Sequence, residues 1–514
     1  MVNAGNRIIK NTFILYAKSA ITMVISLFAT RWILLGLGET DFGIYNLVAG
    51  VIGMLMFLNT SMAAATQRFL SFYNGKNDLA QLKQVFFYSV VLHFIIGLVI
   101  VILFETIGLW CFDNLIKVPA ERISAARMLY QVMIFCTFVN IISVPYTGSI
   151  NSHENMLFLT IINVIASIVR FTLAYLILYV PSDRLIFYGI GMGSIELFIL
   201  LSQRIYCIRH YQETHIKLQP ITNKALLKNI TNYAGWNLFG TIFGTCRGSF
   251  LMVVLNSFFG VVVNAAYGVA TQVYGYMSFL TSSIVTSFRP QIVKSEGAGN
   301  HDRMVRLSLL SSKLTTLLLM ATSLPIIFNT TWILEIWLKK VPIYADVFTQ
   351  WYLLSVVVAQ MTAGLIMAVE STGKIKLLQI VVGSMHVMPL LMCIVMFYFF
   401  NLQPYTAMYI LVIEESINAL LRIFIASKVA GVSKWQCFKE IIIPLSFLIL
   451  LNYAIFYGLI DNIVVNGFFK LIISSVLCLA LIISFSYTFV FNSQERIMVG
   501  ERIKNLAVKI HLVK

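Results

Sequence analysis

Charged side chains fall inside stretches that are otherwise almost wholly apolar, among them Lys18, Arg31, Arg170, Arg247, Glu196, Glu414 and Glu415. If those stretches lie in hydrocarbon, each charge at the centre costs about 2.5–3.5 kcal/mol on insertion scales and must be met by a counter-charge, water or a ligand. Arg170, Arg247 and the three glutamates fall near the middle of their stretches. Lys18 and Arg31 lie nearer the ends of theirs, where a long side chain can reach the interface. Two kinds of chemistry follow. Arginine presents a planar fork that fits the oxygens of a phosphate or carboxylate, and low dielectric strengthens the bond. Glutamates at this depth relay protons or hold small cations. The two kinds can also satisfy each other: Arg170 with Glu196, and Arg247 with Glu414 or Glu415, would lock helices together and serve no ligand.

Other chemistry is thin. The seven cysteines are scattered without a CxxC pair and read as small buried hydrophobes, so neither a metal site nor a disulfide framework is expected. His93 and His386 stand alone in apolar stretches and read as satisfied core residues. No GxxxxGK[ST] loop occurs, which argues against nucleotide hydrolysis, and no cofactor is expected.

The elements that must position these charges follow from composition. Of 514 residues, 59% are hydrophobic and 11% charged, against about 45–50% and about 25% in soluble domains. Such a chain lacks the polar side chains to cover a water-exposed surface, so lipid is its solvent. A helix needs about 20 apolar residues to cross. Fourteen such spans can be read: 12–35, 42–65, 85–110, 127–147, 156–180, 185–208, 233–256, 262–288, 308–330, 346–369, 376–400, 405–427, 438–460 and 466–491. The first is too long for a cleaved signal and a second follows at once.

Loop charges orient the spans. With the N-terminus inside, 26 lysines and arginines fall in inner loops and tails. Seven fall outside: Lys117, Arg122, Arg127, Arg184, Lys339, Lys340 and Lys470. This split obeys the positive-inside rule with both termini cytoplasmic. It also accounts for the net charge of +16, since the cations sit in short loops and form no stripe that would suit nucleic acid.

The chain repeats itself. At a shift of 222 residues Gly38 meets Gly260, Tyr45 meets Tyr267, Gly53 meets Gly275, Ser61 meets Ser283 and Gly75 meets Gly297. At a shift of 218, Ile195-Glu196 with Arg204-Ile205 recurs as Ile413-Glu414 with Arg422-Ile423. Two registers near 220 indicate a six-span duplication. Six being even, the halves share an orientation and relate by an axis along the membrane normal, a transporter pattern with the site between them. The fold expected is all-α and integral to the membrane, with about 14 transmembrane helices in two parallel-related six-helix bundles plus two C-terminal helices. The divisions are a bundle at 1–210, a cytoplasmic linker at 211–232, a bundle at 233–430, helices 13 and 14 at 431–492, and a basic tail at 493–514. Gly240, Gly244 and Gly248 form a small-xxx-small pattern for close helix approach. Pro145, Pro325, Pro389 and Pro444 mark kinks.

The segments Asn11-Thr-Phe-Ile-Leu-Tyr16 and Gly36-Leu-Gly-Glu-Thr-Asp-Phe-Gly-Ile-Tyr45 resemble the first hairpin of the polysaccharide flippases. With two six-helix bundles and an added C-terminal pair, the whole chain resembles the multidrug/oligosaccharidyl-lipid/polysaccharide exporter superfamily. The resemblance implies a flippase in a bacterial inner membrane that moves a polyprenyl-pyrophosphate-linked oligosaccharide by alternating access, for O-antigen or other surface polysaccharide. Polysaccharide synthases would be possible partners, and H+ or Na+ the coupling ion. On that reading Arg31, Arg247, Arg170 and Lys18 bind the substrate, and Glu196, Glu414 and Glu415 are counter-ions or couple an ion. The added helix pair favours this branch, because the multidrug branch usually has twelve spans. A multidrug or small-solute antiporter of the same superfamily is the first alternative. A membrane-embedded polysaccharide polymerase or ligase is the second. Against the latter, the longest outer loops, near Cys111–Ala126 and Thr331–Ala345, carry no catalytic cluster, and no enzyme activity is expected.

Overall fold

The computed structural model describes residues 56–110, 119–215, 223–338, 341–460, 467–493 and 495–497, with scattered positions between 11 and 48. Every regular element among them is helical. Unit 1 comprises Met1–Ile242 with Arg289–His301, and unit 2 comprises Phe243–Phe288 with Asp302–Lys514. In chain order the principal segments are α1 (Met56–Gly75), α2 (Leu79–Leu103), α3 (Ile123–Ser152), α4 (Met156–Leu176), α5 (Arg184–His210), α6 (Lys224–Gly297), α7 (His301–Phe328), α8 (Thr330–Leu338), α9 (Ala345–Gln360), α10 (Ala363–Thr372), α11 (Met388–Phe400), α12 (Thr406–Ala430), α13 (Ile443–Ile455) and α14 (Gly467–Phe485). These labels number segments, not membrane crossings.

Among the described residues nine helices are long and apolar enough to cross a bilayer, ten if the bent pair α9–α10 counts as one. The chain is a multi-pass membrane protein. The expected first span and the first half of the second are described only at scattered positions. The expected twelfth span is present as α12, whose central Glu414, Glu415 and Arg422 lower its apolarity. The linker expected at 211–232 is helical from Lys224, where α6 begins. Pro145 and Pro325 lie inside α3 and α7. Pro389 and Pro444 open α11 and α13. The five described cysteines are free thiols, four of them buried.

The repeat shows in the backbone. Gly38 and Gly260, mates at a shift of 222, adopt φ of +77° and +79°. Only glycine enters that region freely. Gly260 breaks α6 into two helices at this point. Within unit 1 a second pair of mates meets directly. A Cβ on Gly75 would stand 2.1 Å from the Lys294 carbonyl oxygen, and one on Gly297 would stand 2.0 Å from that of Phe72. Phe72 and Lys294 are themselves 222 apart, so the contact is reciprocal. Beside it, Glu154 accepts bonds from Gln291 and from Lys294 Nζ (3.4 Å). The close approach expected at Gly244 and Gly248 is not made among the described residues. Gly244 has open space around it, and Gly248 has only Tyr267 Oη at 4.0 Å.

The loop charges also do more than orient. Arg122, counted above as an outer-loop cation, forks onto Asp41 (Nε to Oδ1, 2.7 Å) and Asp183 (Nη1 to Oδ2, 2.6 Å). It thereby pins the glycine-acid-phenylalanine-glycine turn to the start of α5. Burial acts to raise the Asp183 carboxyl, but the Arg122 bond and the amides of Ile186 and Leu185 outweigh it and hold Asp183 below its ordinary value. In unit 2, Lys313 of α7 was also counted as a loop cation. It is fully buried, 2.7 Å from Glu440 and 2.9 Å from Glu495, and joins α7 to the C-terminal helix pair. Buried cations of this kind persist only when paired.

Two outcomes are expected. Gly297→Val places a side chain against the Phe72 carbonyl and should destabilise the protein by about 1–3 kcal/mol, read as a lower thermal unfolding midpoint in detergent. Arg122→Ala should lower that midpoint at pH 7. A carboxyl held below its ordinary pKa stabilises above that value and loses the effect as pH falls through the lowered one. The Arg122→Ala penalty should therefore shrink toward pH 3.

Candidate functional site

The charges that the sequence places in the second half converge in unit 2. Two spans are interrupted there. Between α9 and α10 the chain bends by 41°, with Thr362 leaving helical geometry at φ −116°, ψ 10°. Before α11 a π-helical turn at Gln379–Gly383 is followed by a break at His386–Val387, just ahead of Pro389. Pro389 has no amide hydrogen to continue the ladder, so the interruption follows from its chemistry. Breaks free backbone carbonyls and amides inside the membrane, and discontinuous spans are where transporters build their sites.

Alongside both breaks runs α12, with Glu414 fully buried and Glu415 nearly so. Arg247, from the first half of α6, donates through Nη1 to Glu414 Oε2 (2.7 Å) and Glu415 Oε1 (2.6 Å). His386 Nδ1 donates to Glu414 Oε1 (2.7 Å), the assignment that leaves the carboxylate satisfied; Arg247 Nη1 is 3.3 Å from the same ring nitrogen. Asn418 Nδ2 adds a bond to Glu414 Oε1 (3.0 Å). Arg422, one turn further, donates from Nη2 to Glu415 Oε2 (3.2 Å). Two arginines thus face two glutamates, and their formal charges balance. Arg247 keeps one face open, its side chain 20% exposed against 0% for Glu414.

The donor atoms of His386, Glu414 and Glu415 lie within 4.8 Å of one another. They could close around a cation only if Arg247 withdrew, because its Nη1 sits between the two carboxylates. Movement of Arg247 therefore exchanges one function for the other: an arginine free for an anion, and carboxylates free for a cation.

Unit 1 carries a smaller version. Arg170 of α4 donates through Nη2 to Glu196 Oε1 of α5 (2.6 Å), and Asn140 of α3 donates to Glu196 Oε2 (3.2 Å). Lys18 is helical and half-buried. Arg31 lies outside the described residues. Of the sites read from sequence, the structure thus joins Arg247 with Glu414 and Glu415, and Arg170 with Glu196. His386, read as an ordinary core residue, and Arg422, counted as a loop cation, prove to be members of the first group. The seven-residue spacing of Glu415 and Arg422 puts the two on one helix face, but the loop count overrides that cue, and nothing in the sequence marks His386.

Comparison with known proteins adds the fold. The MatE family model matches residues 17–176. A MATE structure in the bent conformation superposes with a TM-score of 0.73 at 13% identity, covering 83% of this chain and 96% of that one. This is the fold of the MATE transporters. An outward-facing multidrug resistance MATE transporter of the MOP superfamily gives 0.69 at 14% identity, with the same coverage. A MOP superfamily transporter from Pyrococcus furiosus, described as having a binding pocket of reverse polarity that suggests a different function, gives 0.70 at 12%, again covering 83% and 96%. No curated protein matches the chain by sequence.

The MATE-like fold and the pairing make a specific demand on stability. Arg247→Ala should cost about 3–5 kcal/mol, because it leaves Glu414 and Glu415 buried side by side. Arg247→Met combined with Glu414→Gln removes one charge of each sign and should recover much of the loss. Thermal unfolding of the two purified variants in one detergent checks both.

Proposed function

We propose that the chain is a secondary transporter that moves a small organic solute across the membrane in exchange for a proton or small cation. The Arg247–Glu414–Glu415–His386 cluster would be its exchange site. The observation that carries this is a charge-balanced cluster, buried between two broken helices, in a fold shared with multidrug transporters. Solute binding would draw Arg247 or a carboxylate out of its pair, and a cation would fill the position left. Access to the site would alternate between the two sides of the membrane, with both termini in the cytoplasm. No bond is made or broken in the solute, so no catalytic residue is needed.

A second reading keeps one specific support. Two further helices, Lys434–Gly458 and Gly467–Val490, follow the twelfth span and are tied to α7 through Lys313. The resemblance noted in the sequence associates such a pair with export of polyprenyl-pyrophosphate-linked oligosaccharides in a bacterial inner membrane, with synthase partners. Against it, Arg170 and Arg247 already have carboxylate partners and offer a diphosphate no uncommitted charge. Arg31, Arg170, Arg247 and Lys18 remain the substrate-binding residues this reading requires.

Reconstitution in liposomes separates the two. Under an imposed pH or Na+ gradient, ethidium or another fluorescent organic solute should move only when the gradient is present, and Glu414→Gln should abolish the movement. Gradient-independent flipping of a fluorescent polyprenyl-diphosphate oligosaccharide, with no movement of small solutes, would establish the second reading instead.

A further inference from the structure

The exchange site does not end at Glu415. Arg422 is buried, 5% exposed, and makes three contacts: Glu415 Oε2 at 3.2 Å, Thr362 Oγ1 at 3.2 Å and the Ala359 carbonyl oxygen at 3.4 Å. The last two belong to the break between α9 and α10. In an unbroken helix that carbonyl would accept a full bond from the amide four residues on. Here it receives long bonds from Thr362 N (3.4 Å) and Thr362 Oγ1 (3.4 Å), and the guanidinium adds to them.

Both sides of the break are anchored, and to different elements. On the α9 side, Gln360 Nε2 donates to Thr281 Oγ1 of α6 (3.3 Å). On the α10 side, Gly364 N donates to Ser312 Oγ of α7 (2.9 Å), and a Cβ on Gly364 would stand 1.9 Å from the Ser308 carbonyl. Neither helix can slide alone without moving the element it is clamped to. The bend lies at the residue pair between them, Met361 and Thr362, and Arg422 bonds Thr362 there.

Resting on the exchange reading, we propose that Arg422 is a positioning residue that couples the charge state of the Arg247 cluster to the angle between α9 and α10. Glu415 is shared by two arginines. When it loses its charge, or follows a withdrawing Arg247, Arg422 is left with two neutral acceptors. A buried guanidinium without a carboxylate is unstable at this depth, so Arg422 pulls harder on the Ala359 carbonyl and Thr362 or leaves them for another partner. Either movement changes the bend, and the clamps at Thr281 and Ser312 carry the change to α6 and α7. Spatial connection alone does not establish coupling, so a thermodynamic cycle is required.

The test uses the full-length protein with spin labels on Val347→Cys in α9 and Lys374→Cys beyond α10, and measures the distance distribution across the break. The four backgrounds are unaltered, Glu415→Gln, Arg422→Gln and both together. Glu415→Gln should shift the distribution when Arg422 is present and leave it unmoved when Arg422 is Gln. In proteoliposomes, transport of a carried solute should fall about tenfold in Arg422→Gln, and Arg422→Lys should recover most of it. A distribution identical in all four backgrounds, or one that Glu415→Gln shifts equally without Arg422, overturns the proposal. A hinge that responds as expected in a protein that carries no solute leaves the coupling in place and removes the exchange reading.

Discussion

A charge at the depth of hydrocarbon has no water to fall back on, and that constraint organises what the helices do here. The chain meets it by pairing. Arg170 finds Glu196, Arg247 finds Glu414 and Glu415, Arg422 finds Glu415, and Lys313 finds Glu440 and Glu495. All but Arg422–Glu415, which lies within α12, join two or more segments, so they fix helices that lipid-matched apolar side chains would hold only loosely. The breaks before Pro389 and at Thr362 answer the same constraint. Opened backbone groups need partners too, and at Thr362 Arg422 supplies one to the Ala359 carbonyl oxygen. The polar cluster and the irregular backbone are one feature seen from two sides.

How much of this was legible in the sequence depends on what a linear count can see. Apolar length showed where the helices run, because hydrocarbon thickness sets it directly. The mid-span charges and their partners were legible as alternatives, since an arginine and a glutamate at equal depth have few other options. Gly38 and Gly260 were legible as mates, and their shared positive φ explains why both are glycine. Arg122, Lys313 and Arg422 were not legible. A positive-inside count assigns a cation to the loop nearest in sequence, yet each of these side chains turns away from solvent toward carboxylates 61 to 182 residues off or two turns along its own helix. His386 was hidden because its role depends on the break before Pro389, which composition does not announce.

The two halves are unequal in the layer that matters most. Glu196 and Glu414 are mates at a shift of 218, and each holds an arginine, yet the arginines come from different places: Arg170 from the helix preceding its glutamate, Arg247 from α6. Arg204, the mate of Arg422, is exposed. Unit 2 therefore holds a second carboxylate, a second arginine and a histidine where unit 1 has one pair with an asparagine.

That concentration constrains how such a site can work. Two arginines and two glutamates balance in formal charge, and burial at this depth favours that balance. A proton alone raises the sum to +1, and an anion alone lowers it. Either leaves an uncompensated charge in low dielectric, where the penalty is several kcal/mol. The states that cost least keep the balance, with a cation arriving as a cationic solute leaves, or a cation and an anion bound together. Exchange or co-occupancy is then favoured over passage of a single ion by the electrostatics of burial, whichever solute is carried. The open face of Arg247, with Glu414 sealed behind it, sets the sequence: the arginine must move before the carboxylates can take anything in its place.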